Sequence, residues 1–296
     1  MKIAITGATG LVGTELSKQL QTRGDEVVPI SRSVVPGGVQ WDVEKGELDH
    51  AALRGVDAVV HLAGAGVADG RWTDERKRII RDSRVKSAAL LQSAIGKMDS
   101  RPSVFVSASG VGFYGPEHDA PVDETAPLGK GFLADVCREW EAAAHQFESL
   151  GLRVAVARFG VVLSPRGGAL AKMLPPFKLG LGGPVGSGKQ RLGWVALDDA
   201  VAALIFLIDQ AEARGAFNIT APEIVTNAEF ANALGKALGK PTKLPAPKFA
   251  LKLAFGEMAE ETLLADTPAL PSRLHEQGFS FEYSQLDAAL QQVIES

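Results

Sequence analysis

Residues 6–13 read TGATGLVG, a G-x-x-G-x-x-G series with Gly7, Gly10 and Gly13 placed directly after the apolar run KIAIT (2–6) and at the start of LVGTELSKQLQTRG (11–24). Each glycine has a physical reason to be there. One permits a tight turn, one lets backbone approach a pyrophosphate, and one lets helix and strand pack closely, while the helix N-terminus offers free N–H groups to an anion. Such spacing is weak by itself in a chain with 32 glycines, but its strand–turn–helix context makes it a dinucleotide-binding fingerprint. The expected contacts there are Gly7, Thr9, Gly10, Leu11, Val12 and Gly13.

Outward from this turn, strand-like runs alternate with helical patterns. KIAIT, EVVPIS, VDAVVHLA, SVFVSAS and LRVAVARF are separated by the first helix, by a long helical stretch from about Thr73 to Ile95, and by GFLADVCREWEAAA (131–144). Val12, Leu16 and Leu20 recur every four residues, the spacing of a core-facing stripe. Strict alternation implies right-handed βαβ units, hence an α/β fold with a doubly wound, Rossmann-like parallel sheet. After Arg158 the segments GVVLSPRGG and KLGLGGPVGSGKQRLG are dense in glycine and proline and read as loops, short turns or a small hairpin. Helical patterns from Asp198 and Asn227 flank a further strand, AFNIT. Three prolines between Pro241 and Pro247 mark a linker or bend before a mostly helical end. The expected division is a dinucleotide-binding domain over 1–240, with 160–197 contributing to a smaller substrate lobe, and a helical C-terminal domain over 241–296.

The residue ending the second strand discriminates between dinucleotides, because an acid there binds a ribose 2′-hydroxyl and a base accepts a 2′-phosphate. The chain reads PISRS, with no acid, and Arg32 flanked by Ser31 and Ser33 offers a guanidinium and hydroxyls suited to phosphate. NADP(H) is therefore expected over NAD(H), against the alternative of a solvated arginine at a strand end. Trp41 and Asp42 stand where they could flank an adenine. The small-residue turn LAGAG brings Leu62, Ala63, Gly64 and Ala65 close to the crevice, and SASG ends the fifth strand.

Composition sets outer bounds. Apolar residues make up 46% and charged residues 22% of 296, an ordinary globular balance. A net charge of −4 gives no electrostatic reason to expect nucleic acid or a membrane as partner. One cysteine, Cys137, fits a reducing compartment, and no signal-peptide core is visible, so a cytoplasmic location is expected. The run VAALIFLI (201–208) is far shorter than the about 20 residues that span a bilayer. The five histidines show no metal-ligand spacing, so no metal is expected.

TGATGLVG, HLAGAG, SASGVGFYG and WVALDDAVAAL, in that order, resemble the extended short-chain dehydrogenase/reductase superfamily. FLADVCREWEAAA, GGALAKMLPPFKLGLGGPVGSGKQ and GEMAEETLLAD followed by GFSFEY are similar to its atypical, epimerase-like subgroup within the NAD-dependent epimerase/dehydratase superfamily, whose C-terminal domain is uncharacterised. The resemblance covers essentially the whole chain. It implies a tyrosine acid/base, a lysine four residues on and a polarising serine or threonine, yet Phe132 and Val136, or Leu133 and Cys137, fall where tyrosine and lysine belong. Arg84 replaces an asparagine of the pattern and is counted with the cofactor contacts, as are Gly160 and Val161 after LRVAVARF. Ser109 and Tyr114 are the remaining catalytic candidates. Ser109, close to the usual hydroxyl position, is either a polarising hydroxyl or a strand-end hydrogen bond, although one extra residue precedes YG and counting back from Tyr114 gives Gly110 instead. Tyr114 is either a proton donor or a phenol that packs its loop.

GPVGSGKQ (183–190) matches the start of a nucleotide-binding G-x-x-x-x-G-K loop, but Gln190 stands where a magnesium-binding hydroxyl belongs and no strand precedes it. In the resembling family the segment belongs to the substrate lobe, which makes Lys189, Gln190 and Trp194 candidates for substrate contact. One of Asp198 and Asp199 is expected to cap its helix. Cys137 is expected to be an inert packed thiol and His61 a core or strand-end residue. Two functions follow: an NADP(H)-binding epimerase-like oxidoreductase acting on a sugar nucleotide or carbonyl compound, or a non-catalytic NADPH sensor.

Overall fold

The computed structural model describes residues 1–295. Chain order begins β1 (Lys2–Thr6), α1 (Leu11–Thr22), β2 (Glu26–Ser31), β3 (Val39–Asp42), β4 (Glu47–Leu48), β5 (Ala58–His61), α2 (Asp74–Gly96), β6 (Val104–Gly110), α3 (Phe132–His145) and β7 (Arg153–Phe159). It continues β8 (Val161–Leu163), α4 (Gly168–Lys178), β9 (Arg191–Leu192), β10 (Trp194–Ala196), α5 (Leu197–Asp209), β11 (Gly215–Ile219), β12 (Val225–Thr226) and α6 (Asn227–Leu238). The end is helical: α7 (Lys248–Phe255), α8 (Ser272–Glu276) and α9 (Leu286–Glu295).

Eight strands form one sheet in the order β11-β7-β6-β5-β1-β2-β3-β4, parallel throughout except for the short antiparallel edge pair β3–β4. The chain moves outward from β1 through β2 and β3 and then returns to lay β5 on the other side of β1. That reversal leaves a crevice at the C-terminal ends of β1 and β5, where doubly wound sheets bind ligands.

Pleating assigns the faces. Ile3 and Ile5 pack with Leu16 and Leu20 of α1 and with Val201 and Leu204 of α5, whereas Ala4, between them, joins Leu91 and Ile95 of α2 and Ala144 of α3 on the opposite face. Leu16 and Leu20 are fully buried, each contributing about 1.5–3 kcal/mol. The core of the first two-thirds is thus a sheet between two helical layers.

Two stretches depart from expectation. GVVLSPRGG contains β8, which pairs in parallel with β10 (Val161↔Trp194, Leu163↔Ala196), and α4 follows it with Pro175 and Pro176 inside the helix. A strand whose partner arrives much later in the chain carries no local signature, so glycine and proline density misled there. The acidic pair also differs: Ala196 holds the cap position of α5, and Asp199 instead accepts hydrogen bonds from the Glu282 and Tyr283 amides at 2.8 and 2.9 Å.

A further core joins Leu170, Leu174 and Phe177 of α4, Trp194, Phe230 and Leu234 of α6, and Leu286 and Leu290 of α9. Residues after Pro241 also contribute Leu274 and Phe279 to the layer beneath α5. No helix of the described residues is long and apolar enough to cross a membrane.

Candidate functional site

The crevice beyond β1, β2, β3 and β5 has a volume of about 1140 Å³. Its floor is the glycine turn. Gly7 has φ +68°, and a Cβ there would lie 2.9 Å from the Leu62 carbonyl carbon. A Cβ on Gly13 would collide with the Gly7 carbonyl oxygen, so that glycine lets α1 rest on the turn. Gly10 occupies the cap position of α1, no side chain caps that helix, and its first turn has no acid. The free N–H groups and the positive end of the helix dipole are left available to an anion. Gly7, Thr9 and Gly10 line the crevice, and a recess of about 210 Å³ continues past Leu11, Val12 and Gly13 to Ala108 and Phe159.

At the β2 and β3 ends stand Ser31, Arg32, Trp41 and Asp42. The Asp42 carboxylate accepts hydrogen bonds from the Glu44 and Lys45 amides and pairs with Lys45, contacts that hold its pKa below the usual value. Arg32 is exposed and forms no ion pair among the described residues. Its charge is therefore not cancelled by the nearby acid. Across the crevice α2 presents Arg76, Arg78, Ser83 and Lys86, which the sequence reading did not single out. Arg76, Ser83 and Lys86, seven and three residues apart, share one side of a stretch recognised as a helix, so its polar face was the available signal.

The LAGAG turn carries Leu62, Ala63, Gly64 and Ala65 along the rim. Thr6 anchors it: its hydroxyl oxygen accepts from the Leu62 and Ala63 amides at 3.1 Å and lies 2.7 Å from His61 Nδ1. Ser87 donates to the Ser83 carbonyl and lies 3.1 Å from His61 Nε2, so the network assigns the proton to Nε2 and leaves Nδ1 accepting from Thr6. Burial pushes the His61 pKa down to about 4 and keeps the imidazole neutral. It is a strand-end fastener rather than a base.

Arg84 is buried behind the same turn. Its Nη1 donates to the Ala65 and Ile80 carbonyls at 3.0 and 2.7 Å, its guanidinium lies 4.8 Å over the Trp140 ring, and a Cβ on Gly64 would come within 3.0 Å of Cζ. Burial lowers its pKa to about 10, so it remains cationic at neutral pH. No carboxylate pairs with it among the described residues, and its carbonyl bonds hold the crevice wall in shape.

The catalytic candidates are engaged elsewhere. Ser109 donates to Glu141 Oε1 at 2.7 Å, and Arg158 grips both carboxylate oxygens of Glu141 at 2.8 and 2.7 Å. Arg158 also donates to the Tyr114 hydroxyl at 2.9 Å, and that hydroxyl donates to Asn218 Oδ1 at 2.8 Å. Tyr114 is 3% exposed, and burial raises its pKa despite the opposing Arg158 charge. Neither hydroxyl lines the crevice or its recess. On α3, Phe132 packs edge-on against Trp72, and the Phe132 and Leu133 amides donate to Glu261 at 2.8 Å. Val136 and Cys137 are buried, and burial raises the thiol pKa.

The remaining candidates do not line the crevice or its recess. The Gly160 and Val161 amides bond the Ile219 and Gly193 carbonyls. Lys189 is exposed on its turn; Gln190 is buried and donates to the Val185 and Leu263 carbonyls; Trp194 is wholly buried in the core around α4 and α6.

Strand order, switch point and glycine turn together define a Rossmann-type nucleotide-binding α/β protein. Residues 3–220 match the NAD dependent epimerase/dehydratase family, and residues 246–293 match a domain of unknown function, DUF1731. The chain belongs to the NAD dependent epimerase/dehydratase family. Epimerase family protein Mb2239 of Mycobacterium bovis is 42% identical over 290 residues, 97% of this chain and 96% of that protein. The crystal structure of human epimerase family protein SDR39U1 (isoform2) with NADPH superposes with a TM-score of 0.93 at 36% identity over the full length of both chains. A nucleoside-diphosphate sugar epimerase from Corynebacterium glutamicum gives a TM-score of 0.81 at 34% identity, covering 99% of this chain and 58% of that one.

Proposed function

We propose that this protein binds NADP(H) along the crevice and acts as an epimerase-like oxidoreductase on a small carbonyl compound or sugar nucleotide. The observation that carries the proposal is the pairing of an uncapped α1 N-terminus over Gly7, Gly10 and Gly13 with the unpaired Arg32 at the end of β2. The amides of residues 9–13 would hold the pyrophosphate, Ser31 and Arg32 the 2′-phosphate, Trp41 and Asp42 the adenine side, and residues 62–65 the ribose side. A bound nicotinamide supplies hydride chemistry. NADPH in the human relative supports the choice of dinucleotide, and the Corynebacterium relative supports the substrate class. The segments 160–197 and 241–296 form the substrate lobe in this proposal.

A second reading, a cofactor-binding sensor without turnover, is favoured by one observation: the Ser109 and Tyr114 hydroxyls are both engaged in the buried Glu141–Arg158 network. Titration with NADPH and NADH tests the shared premise. NADPH is expected to bind more tightly, and Arg32→Ala to weaken NADPH by roughly tenfold or more while sparing NADH, as expected for loss of a charge-assisted phosphate contact. Equal affinities in the unmodified protein would refute the phosphate assignment. Following NADPH absorbance over a panel of carbonyls and nucleotide sugars separates the two readings, since a sensor turns over none of them.

A further inference from the structure

The helix α7 is an anomaly in the fold. Its sequence, KFALKLAF, contains no buried residue, and Phe249 and Leu253, one turn apart, are 75% and 76% exposed. A helix this apolar ordinarily lays such a stripe on a core. The exposed apolar surface extends beyond it. Leu179 and Leu181, leaving the end of α4, and Leu244, in the proline-rich bend, are also exposed. The two segments run side by side: the Ala246 amide donates to the Pro184 carbonyl, the Gly186 amide donates to the Ala246 carbonyl, and Gly180 approaches Pro241.

The charged residues of the segments that carry this surface are all basic. Residues 240–252 contain four lysines and no acid, and Lys178 and Lys189 lie on the adjoining segment. Lys178, Lys189, Lys240, Lys243 and Lys248 are exposed and form no ion pair among the described residues. The acids that follow α7 are engaged with the protein: Glu257 pairs with Lys77, Glu260 with Lys252, and Glu261 accepts from the α3 amides. The chain's overall charge of −4 averages this local basic face away.

We propose that α7 and the adjoining 178–189 and 240–246 segments form a docking face for an anionic lipid bilayer. Phe249, Leu253, Leu244, Leu181 and Leu179 would enter the headgroup boundary, and the lysines would meet lipid phosphates. A helix of this kind lies in the interfacial plane, held by apolar burial and by electrostatic attraction to acidic headgroups. A second copy of the chain is the poorer occupant, since an isologous contact would set one lysine cluster against another.

Sedimentation of the full-length protein with phosphatidylcholine vesicles, with and without phosphatidylglycerol, tests the proposal. Association is expected only when phosphatidylglycerol is present, and added salt should weaken it. The double variant Phe249→Ser, Leu253→Ser should reduce binding on the order of tenfold or more, and Lys243→Ser with Lys248→Ser several-fold. Because these side chains are exposed, circular dichroism and melting of the variants should match the parent. Failure to associate with either vesicle overturns the proposal, as does undiminished binding of the double variant. Light scattering that detects a dimer abolished by the same substitutions also overturns it and assigns the face to self-association.

Discussion

Even one methyl group at position 13 would occupy space held by the Gly7 carbonyl and the Ala8 backbone. Gly13→Ala must therefore lift α1 from the turn, at a cost of about 1–3 kcal/mol typical of overpacking. The variant is expected to melt lower and to bind NADPH more weakly; unchanged melting and affinity together would contradict the role given to this glycine. His61 makes a pH-dependent prediction. Its native pKa of about 4 lies below the unfolded value of 6.5, so between these values the unfolded chain binds the extra proton. The stability from neutral, buried His61 is complete above pH 6.5 and is lost as pH falls toward 4, by about 3 kcal/mol in all. Urea titrations at several pH values should show a shallower acid-side loss in His61→Asn than in the parent. An identical slope would mean that His61 does not stay neutral.

Helix α3 illustrates what can be read from sequence at the scale of an element. Its existence and its place after β6 are legible in the sequence, and of Leu133, Val136 and Trp140, which stand at core-facing spacing, Val136 and Trp140 are buried while Leu133 is half-buried. Glu141 was visible only as part of a family pattern. A buried carboxylate is tolerable here because Arg158 from β7 and Ser109 from β6 reach it, and no local rule announces a partner on another strand. The same limit applied to β8, whose ladder partner is β10, and to the polar face of α2. The glycine turn was legible because strand, loop and helix N-terminus are contiguous. Glu141 therefore joins α3, β6 and β7, and removing its charge leaves Arg158 buried and unpaired. Glu141→Gln is expected to cost about 3–5 kcal/mol, whereas Glu141→Leu combined with Arg158→Met should recover most of that loss. Chemical denaturation of the three variants measures both values. Equal destabilisation by the single and double substitutions would show that packing, and not the ion pair, is what matters.

At the scale of the molecule, two family models divide the chain near residue 246, yet the packing does not respect that division. Glu261 bonds the first amides of α3, the Arg191 guanidinium pairs with Asp266 at 2.6 Å, and Asp199 in α5 receives the Glu282 and Tyr283 amides. Leu274 and Phe279 belong to the sheet's own core, and α9 buries Leu286 and Leu290 against the α4 and α6 layer. An end segment that shares its apolar surfaces with the sheet has little core left to fold around when separated from it. Calorimetry should accordingly give one transition with equal calorimetric and van't Hoff enthalpies. Asp199→Ala is the perturbation that distinguishes the alternatives, because it strands two amides at the join without touching the crevice. Its expected cost is about 1–3 kcal/mol, which should move the single transition down by roughly 2–4 °C per kcal/mol while keeping its shape. Should the C-terminal segment unfold by itself, the substitution would instead split the endotherm, with only the lower peak shifting. Bound NADPH would then raise the upper peak alone, whereas a cooperative molecule must carry the whole transition upward with ligand.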